Sequence, residues 1–225
     1  MKNTWTVVIP IYNDAVALEK LLNEIELTNL KNGSFIIVDN GSSDQIMLGG
    51  KFRDNSKFKF VRTENNLGFG GGIKYGLKFA NTEWVGWMPG NLKVHPKELN
   101  KIDAIIQLNQ YEFIKGARVG RDFKSRIKTS IAGVIQSLVL RKNMLDTGGT
   151  PTFITRNYIK HLELSPNDYV FESFVLFTAH KYKLRKVRPK IIYGNRIYGS
   201  SHWQRGLKSE IKLMINIYKC VRKLE

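Results

Sequence analysis

Three polar segments follow apolar, strand-like runs and carry residue types that can bind nucleotides and metal ions. They are Tyr12-Asn13-Asp14, the stretch from Asp39 to Asp44, and Pro89-Gly90-Asn91. In an open parallel sheet the carboxyl ends of the strands line one crevice, so these segments would converge there. Turn formation explains any single segment, because Asp, Asn, Gly and Ser bond to their own backbone in turns. Three segments in succession predict a shared site.

Apolar periodicity around these segments predicts strands that alternate with helices. The predicted strands cover residues 5–11, 34–39, 58–63, 83–88, 111–119, 151–155 and 184–193. The predicted helices cover 16–25, a stretch ending near residue 80, 96–109, 131–140, 167–183 and the final segment. Short strands alternating with helices favour an α/β fold with a mostly parallel central sheet flanked by helices.

Length and composition fit one domain. The 225 residues are 42% hydrophobic, which is sufficient for one substantial core. We therefore expect a single domain over 1–225, with a first half at 1–115, a second half at 116–203 and an amphipathic helix at 204–225. The single cysteine cannot form an internal disulfide, which agrees with a reducing compartment. No secretory signal is recognisable, so a cytoplasmic location is expected.

The charge balance predicts an anionic partner. A formal net charge of +17 attracts phosphorylated molecules, nucleic acid or an acidic membrane surface, although solvated surface lysines explain it equally well. No helix-turn-helix, zinc-finger or RNA-recognition pattern occurs, so nucleic acid is not an expected partner. The longest apolar run, at 131–140, is too short to span a bilayer as a helix.

Four glycines, Gly68, Gly70, Gly71 and Gly72, open a predicted helix. Their spacing matches neither the dinucleotide pattern G-x-G-x-x-G nor the P-loop pattern. They would allow the backbone to approach an anion at the helix N-terminus, or they would allow the helix to pack closely on a strand. Both interpretations stay open.

Five segments of the first half occur in a characteristic order and spacing. They are VVIPIYND, IIVDNGSSD, NNLGFGGGIKYGLKFA, WVGWMPGNLKVHP and IKGARVGR. In this order they resemble the family 2 glycosyltransferases of the GT-A fold. Further along, LDTGGTPTFITR and RIYGSSHW resemble the branch that contains dolichyl-phosphate mannose synthase and bacterial polyprenyl-phosphate sugar transferases. The resemblance implies that 1–115 binds a nucleoside-diphosphate sugar and that 116–203 forms the acceptor side.

The resemblance also implies roles for particular residues. Asp39 would bind the nucleotide base, and Lys74 would lie beside the base and ribose. Gly41 and Ser42 would shape the turn beneath the nucleotide. The implied nucleotide-sugar site consists of Pro10, Tyr12, Asp14, Asp39, Gly41, Ser42, Gly71, Lys74, Pro89, Gly90 and Asn91.

The segment at 89–91 departs from the family pattern. The family usually has an Asp-x-Asp motif here that holds a divalent ion, whereas this chain has Pro89, Gly90 and Asn91. A divalent ion stabilises the diphosphate as negative charge builds on it, and an amide oxygen can bind Mg²⁺ or Mn²⁺ without adding charge. We therefore expect Asn91 to be a weak ligand for Mg²⁺ or Mn²⁺, with nearby cations compensating for the missing carboxylate.

Basic residues on the acceptor side are expected to bind phosphate, because the planar fork of arginine makes paired bonds to phosphate oxygens. Arg118 and Arg196 match motif positions, and the further candidates for an acceptor phosphate are Arg121, Arg126 and Ser201. A solvent-exposed surface charge is the more common role for Arg121 and Arg126.

The expected catalytic residues are Asn91, Arg118, Arg196, Asp146 and Glu172. A phosphate acceptor is already anionic near neutral pH, so positioning and electrostatics could suffice for its transfer. A hydroxyl acceptor would need a base, for which Asp146 and Glu172 are candidates. Ordinary roles in a turn or in helix packing are the competing explanation for both carboxylates.

The leading hypothesis is an inverting glycosyltransferase that moves a sugar to a polyprenyl phosphate, in the cytoplasm at the inner face of the membrane. The first alternative is a family 2 enzyme acting on a saccharide or another hydroxyl acceptor. The second is a catalytically inert nucleotide-sugar-binding protein, which the sequence at 89–91 would explain. The amphipathic segment 204–225 would either attach the chain to anionic lipid or pack on its own domain.

Overall fold

The computed structural model describes residues 3–44, 52–194 and 207–222, and it describes the side chains of the last segment from Ile215 onward. The strands are β1 (Trp5–Ile11), β2 (Gly33–Asp39), β3 (Phe58–Arg62), β4 (Trp84–Trp87), β5 (Phe113–Lys115), β6 (Ala117–Val119), β7 (Thr152–Thr155), β8 (Lys186–Val187) and β9 (Lys190–Ile192). The α-helices are α1 (Ala15–Leu27), α2 (Gly68–Leu77), α3 (Leu99–Gln107), α4 (Phe123–Leu140), α5 (Val170–Lys181) and α6 (Leu207–Arg222).

The central sheet has the strand order β3-β2-β1-β4-β7-β5-β8. Within it, β1, β2, β3 and β4 are parallel, and β7 is antiparallel to both of its neighbours, β4 and β5. Strands β6 and β9 form a separate parallel pair. The expected α/β fold with a mostly parallel sheet is therefore confirmed.

Two apolar clusters cover the two faces of the sheet. One contains Trp5 and Phe35 with the apolar side of α1, and the other contains Trp87 and Phe171 with α2 and α5. Every residue of β1 except Pro10 is buried, as expected for a central parallel strand with helices on both sides. The core therefore holds β1, β2 and β4 firmly and fixes where their carboxyl ends lie.

Two of the predicted strands are each divided in two. Residues 111–119 form β5 and β6, and Gly116 between them carries the chain from the central sheet to the small one. Residues 184–193 form β8 and β9 in the same way, with Pro189 at the break. Proline has no backbone N–H to donate to a strand ladder, which explains the interruption. The prediction of one strand in each region was therefore wrong.

Several helix boundaries also differ from the predictions. Helix α4 begins at Phe123, well before residue 131, because the Asp122 carboxylate caps it by accepting from the Ser125 N–H at 2.9 Å. Residues Pro96–Glu98 form a 3-10 turn that precedes α3. A second 3-10 segment, Arg156–Leu162, was not predicted.

Helix α6 packs on the domain through the end that is described in full. Ile217 and Val221 are buried in the same apolar cluster as α5, and α6 contacts both α4 and α5. Among the helices in the described ranges, none combines the length and apolar character needed to cross a bilayer.

Candidate active site

A cavity of about 740 Å³ opens at the carboxyl ends of β1, β2 and β4. Because these strands are parallel, the polar segments that follow them meet at one edge of the sheet, as the sequence predicted. The cavity is lined by Pro10, Ile11, Tyr12, Asp14, Asn40, Asn66, Gly68, Phe69, Pro89, Gly90, Asn91, Lys93, Arg118, Lys128, Thr129, Ala132, Gln136, Thr147, Gly148, Thr150, Tyr169, Glu172, Ser173 and Tyr193. Its volume is typical of a site for a small organic ligand.

Eight of the sequence-predicted site residues line this cavity. They are Pro10, Tyr12, Asp14, Pro89, Gly90, Asn91, Arg118 and Glu172. They come from the ends of β1 and β4, from β6 and from α5, so residues up to 162 positions apart in the sequence meet at one place. The tertiary structure thus unites the two halves of the chain around one cavity.

Asp39 organises the turn after β2 without lining the cavity. Its buried carboxylate accepts a hydrogen bond from the Ser42 N–H at 2.9 Å and from Arg62 Nη1 at 2.8 Å. Gly41 has φ of +74°, and a Cβ there would lie 2.5 Å from the Asn65 carbonyl carbon. The turn therefore requires glycine at 41, and its shape depends on the Asp39 carboxylate.

The turns after β1 and β2 are bonded to each other. The Asn13 N–H donates to Ser42 Oγ at 3.0 Å, and the Asn13 side-chain oxygen accepts from the Ser43 N–H at 2.8 Å. Asn13 has φ of +49°, a conformation that asparagine tolerates better than most residues. These bonds fix the position of Tyr12, which projects at the cavity wall with about half of its surface exposed.

The glycines of α2 serve mainly close packing. A Cβ at Gly76 would lie 2.4 Å from Val8 Cγ1, and one at Gly72 would lie 3.1 Å from Pro10 Cβ. The Gly71 N–H donates to the Asn167 carbonyl at 3.0 Å, so this amide already has a partner. Gly68 is the member of the group that lines the cavity.

Lys74 lies on α2 away from the cavity lining. Its ammonium donates to the Ser165 carbonyl at 2.6 Å, and burial lowers its pKa from the ordinary value. This contact ties α2 to the segment before α5. The position of Lys74 beside a base and ribose remains a prediction.

The loop after β4 is shaped by close packing. A Cβ at Gly90 would lie 1.9 Å from Ile11 Cδ1, so a side chain at 90 would displace the end of β1. Asn91 faces the cavity, and its side-chain oxygen accepts from the Lys93 N–H at 3.3 Å. The loop therefore brings an amide and a lysine to the place where the family pattern has carboxylates.

The donor set at this loop does not fit a dedicated metal site. Within the described ranges, no group of three or more His, Cys, Asp or Glu side chains is placed to hold an ion. Asn91 contributes one neutral oxygen, and the nearby cavity residue Glu172 already binds a lysine. Divalent ions prefer several oxygen ligands with carboxylates among them, and the described residues at this loop do not supply such a set.

Arg118 and Asp146 form an ordered pair at the cavity wall. The Asp146 carboxylate accepts from Arg118 Nε at 2.5 Å and from the Arg118 backbone N–H at 2.9 Å. Arg188 donates to the Asp146 carbonyl at 2.9 Å, and the Arg118 guanidinium lies over the Tyr193 ring at 5.7 Å. Asp146 therefore positions Arg118 at the cavity wall and is not itself a lining residue.

Two of the other predicted phosphate-binding residues, Arg121 and Arg126, are described by the structure and do not line the cavity. Arg121 donates to Thr129 Oγ1 at 2.7 Å, and burial lowers its pKa, with the neighbouring charge of Arg118 acting in the same direction. Arg126 is exposed on α4. Arg196 and Ser201 lie outside the described residues, so their roles remain predictions.

A buried ion pair forms part of the cavity floor. Lys115 Nζ donates to Glu172 Oε2 at 2.5 Å and to Thr152 Oγ1 at 3.1 Å, and the Trp87 indole donates to Glu172 Oε1 at 2.7 Å. Lys115 is fully buried, and its burial lowers its pKa while the Glu172 charge opposes that shift. Both oxygens of Glu172 are thus engaged by core residues.

Among the residues that the structure describes, three cations line the cavity, namely Lys93, Arg118 and Lys128. The lining carboxylates in the same part of the chain are Asp14 and Glu172. Glu172 is paired with Lys115 beneath it, and Arg118 is paired with Asp146. The cavity wall therefore carries an excess of positive charge, which suits an anionic ligand such as a diphosphate.

Sequence reasoning missed several lining residues. Asn40 accepts from the Leu67 N–H at 3.1 Å and donates to the Gly68 carbonyl at 3.0 Å, so it joins β2 to the start of α2. Phe69 and Tyr169 stack with ring centroids 4.9 Å apart at the cavity wall. Asn40 lies within the strand-end segment 39–44 and could have been identified there. The aromatic pair joins residues 100 positions apart in the sequence, and no local signal predicts it.

Comparison with solved structures shows which fold the chain has. The chain is similar to glucosyl-3-phosphoglycerate synthase from Mycobacterium tuberculosis, crystallised with Mn²⁺, uridine diphosphate and glucosyl-3-phosphoglycerate, with a TM-score of 0.69, 15% identity and coverage of 98% of this chain and 79% of that one. It is similar to the mannosyltransferase PcManGT from Pyrobaculum calidifontis, crystallised with GDP-Man and Mn²⁺, with a TM-score of 0.64, 16% identity and coverage of 99% and 65%. The fold is the GT-A fold of glycosyltransferases.

The family follows from the sequence itself. The family model described as Glycosyl transferase family 2 matches residues 6–163, which is more than half of the chain. The chain belongs to this family and is a glycosyltransferase, as the resemblance at the strand ends implied.

Curated relatives lie in the polyprenyl-phosphate branch. An undecaprenyl-phosphate 4-deoxy-4-formamido-L-arabinose transferase from Serratia proteamaculans is 24% identical over 228 residues, with coverage of 96% of this chain and 67% of the relative. The protein of the same description from Edwardsiella ictaluri is 25% identical over 226 residues with the same coverage. The chain thus spans about two thirds of the length of these relatives.

Proposed function

We propose that this glycosyltransferase moves a sugar from a nucleoside-diphosphate sugar to a polyprenyl phosphate at a membrane surface, with inversion at the anomeric carbon. The observation that carries the proposal is the placement of Lys93, Arg118 and Lys128 around one cavity at the strand ends. The relatives that are named as undecaprenyl-phosphate transferases support the choice of acceptor.

The donor would occupy the part of the cavity formed by β1, β2 and β4. Tyr12, Asp14 and Asn40 line this part together with Pro10, and Asp39 shapes the adjoining turn. The diphosphate would lie towards Asn91 and Lys93, because Lys93 supplies positive charge where the family pattern supplies a metal site. A fixed cation stabilises a leaving diphosphate by the same electrostatic principle as a metal ion.

The acceptor would approach from the side of Arg118 and Lys128. In the reaction, an oxygen of the acceptor phosphate attacks the anomeric carbon, a new C–O bond forms, and the bond from that carbon to the diphosphate breaks. The nucleoside diphosphate leaves with the electron pair. Since the attacking oxygen is already anionic, no proton has to be removed from it.

The two candidate bases are engaged elsewhere, which favours a phosphate over a hydroxyl acceptor. Glu172 is held by Lys115 and Trp87, and Asp146 is held by Arg118. Both oxygens of each carboxylate accept hydrogen bonds from these residues, so neither group is positioned to take a proton from an acceptor hydroxyl. A saccharide acceptor remains the runner-up function.

The test is a panel of nucleotide sugars combined with a water-soluble short-chain polyprenyl phosphate, an oligosaccharide acceptor or no acceptor. Each combination is run with chelator and with added Mg²⁺ or Mn²⁺. We expect release of nucleoside diphosphate and formation of a sugar phosphodiester that depend on the polyprenyl phosphate. Transfer to the oligosaccharide alone would overturn the proposal in favour of the runner-up.

The alternative of an inert nucleotide-sugar-binding protein rests on the absence of a carboxylate at 89–91, and membership of a glycosyltransferase family disfavours it. Calorimetric titration with nucleoside diphosphates separates it from an enzyme. Tight nucleotide binding without transfer to any acceptor in the panel would identify the inert protein.

A further inference from the structure

Helix α4 exposes an apolar face to solvent. Its outward residues are large and hydrophobic, and we call them the α4 face: Phe123, Ile127, Ile131, Val134, Ile135 and Leu138. At 3.6 residues per turn, they fall within an arc of about 120°. Phe123 and Leu138 are 72% and 75% exposed, respectively. Contiguous apolar patches of this kind on a protein mark an interaction surface.

The opposite side of α4 is the one that packs on the domain. Gly133, Gln136 and Leu140 are buried, and Gln136 accepts a hydrogen bond from the Ser173 hydroxyl of α5 at 3.1 Å. A surface helix of a soluble domain normally turns its apolar side inward. Here the inward side carries Gly133 and Gln136, with Leu140 at the end of the helix, and the residues that the structure describes leave the apolar α4 face uncovered.

Apart from Asp122, which caps the helix beside Phe123, the charges along the α4 face are positive. The stretch 123–145 contains no Asp or Glu, and its cations are Lys124, Arg126, Lys128, Arg141 and Lys142. Lys124 falls within the apolar arc itself, and Lys128 lies at its border. Lysine is depleted in the apolar centre of protein–protein interfaces, whereas an apolar helix face with basic residues around it is typical of helices that lie in a membrane interface.

The geometry points to a membrane-docking surface: we propose that the α4 face enters the headgroup region of a bilayer that contains anionic lipid. The apolar side chains would contact the acyl boundary, and the lysine and arginine side chains would extend to lipid phosphates. A second copy of the chain is the competing occupant, and the presence of lysine within the arc disfavours it.

This surface adjoins the cavity. Lys128, Thr129, Ala132 and Gln136 of α4 line the cavity, and Lys128 is also the border residue of the α4 face. One helix thus has a bilayer on one side and the acceptor part of the cavity on the other. The link between the α4 face and a lipid-phosphate acceptor rests on the proposed function. Binding of the α4 face to lipid does not, and it can be measured without any sugar transfer.

The described part of α6 is a weaker candidate for the membrane-docking surface. Ile217 and Val221 are buried against the domain, so part of its apolar side is already covered. The expectation that 204–225 attaches the chain to lipid therefore loses support relative to α4.

The experiment compares the full chain with the double variant Phe123→Gln/Leu138→Gln. Both side chains are mostly exposed, so their replacement leaves the packing of α4 intact. The matched control is Leu27→Gln, because Leu27 is 79% exposed on α1. Binding is measured by co-sedimentation with vesicles of phosphatidylcholine, alone and with phosphatidylglycerol, at two salt concentrations.

The wild type and the Leu27 control should bind the phosphatidylglycerol vesicles equally. The double variant should bind at least about tenfold more weakly, since two exposed apolar side chains no longer enter the bilayer. Circular dichroism and thermal unfolding should be the same for all three proteins. Equal binding by the double variant, or an equal loss in the Leu27 control, would overturn the proposal.

Two further measurements separate the remaining outcomes. A concentration-dependent dimer that the double variant abolishes, with no vesicle binding by the wild type, would assign the α4 face to a second copy and overturn the proposal. In transfer assays, the double variant should keep its turnover on the water-soluble acceptor and lose it on a vesicle-embedded one. Vesicle binding through the α4 face without transfer to any acceptor would refute the proposed function and leave the docking surface supported.

Discussion

Glu172→Gln would break the buried ion pair under the cavity while changing its shape very little. Glu172 accepts from Lys115 Nζ at 2.5 Å and from the Trp87 indole at 2.7 Å. Glutamine keeps an oxygen that can accept from Trp87, but it removes the charge beside the fully buried Lys115. The substitution therefore isolates the electrostatic contribution of Glu172.

The expected loss of stability is large. Removing one member of a buried ion pair costs about 3–5 kcal/mol, because the remaining charge stays buried without compensation. For a chain of this size, 1 kcal/mol corresponds to about 2–4 °C in Tm, so Tm should fall by about 6–20 °C. The double variant Lys115→Met/Glu172→Gln removes both charges and should be more stable than the single variant by about 2 kcal/mol or more.

The single variant should also gain stability as the pH rises. Burial lowers the pKa of Lys115 below its ordinary value of 10.5, and Glu172 opposes this shift. Without Glu172 the pKa of Lys115 in the folded state falls further. Between that pKa and 10.5 the unfolded chain binds more protons than the folded chain, so the free energy of unfolding increases with pH. The double variant lacks this titrating group and should lack this part of the pH dependence.

Urea denaturation followed by circular dichroism measures these differences at several pH values. The electrostatic explanation is refuted if the single variant lies within about 1 kcal/mol of the wild type, or if the double variant is no more stable than the single one. Transfer assays on the folded double variant test whether Glu172 has a catalytic role, apart from its effect on stability. Retained turnover there would show that Glu172 is not a catalytic base, whereas a loss of turnover with normal nucleotide binding would support the catalytic role expected from the sequence.

Three other substitutions test the site directly. Asp39→Ala should weaken nucleoside-diphosphate binding by about 1.5–3 kcal/mol in calorimetric titration, because the turn after β2 loses the charged hydrogen bonds from Ser42 and Arg62 that fix its shape; unchanged affinity in a folded variant would count against a role of this turn in the site. Asn91→Asp should increase the divalent-ion requirement of transfer by restoring a charged ligand, and equal loss of activity on chelation in the wild type would refute compensation by cations. Arg118→Lys should lower kcat/KM at least about tenfold, because lysine lacks the two-pronged contact to phosphate. The control is Arg185→Lys, which makes the same change at an exposed arginine. Wild-type turnover by Arg118→Lys would rule out the contact between Arg118 and phosphate.

Much of the fold could be predicted from sequence because its signals are local. The strands β1, β2 and β4 are short apolar runs, and each is followed by polar turn residues. Parallel pairing brings such ends to one edge of the sheet, so the convergence of Tyr12, Asn40 and Asn91 follows from topology. The family motifs added the class of enzyme, which local patterns alone do not contain.

The break at Pro189 has a local signal, because proline cannot donate to a strand ladder, whereas the break at Gly116 has only the weaker signal of a glycine within a strand. Each interrupts a run with strand-forming residues on both sides, and the separation appears only when β6 and β9 pair with each other. The sequence also could not predict which residues the charged side chains would bind. Lys115 reads as one of many surface lysines, yet it is buried and bound to Glu172, 57 positions away.

The apolar stretch 131–140 shows most clearly what the sequence determined and what the tertiary structure determined. Its composition predicted a helix, and the sequence alone would have placed the apolar side in the core. The tertiary structure decided otherwise, because Gly133 and Gln136 fit against the neighbouring elements and leave Ile131 and Leu138 in solvent. Which side of a helix is buried depends on the shape of the surface that receives it, and that surface is built from residues distant in the sequence.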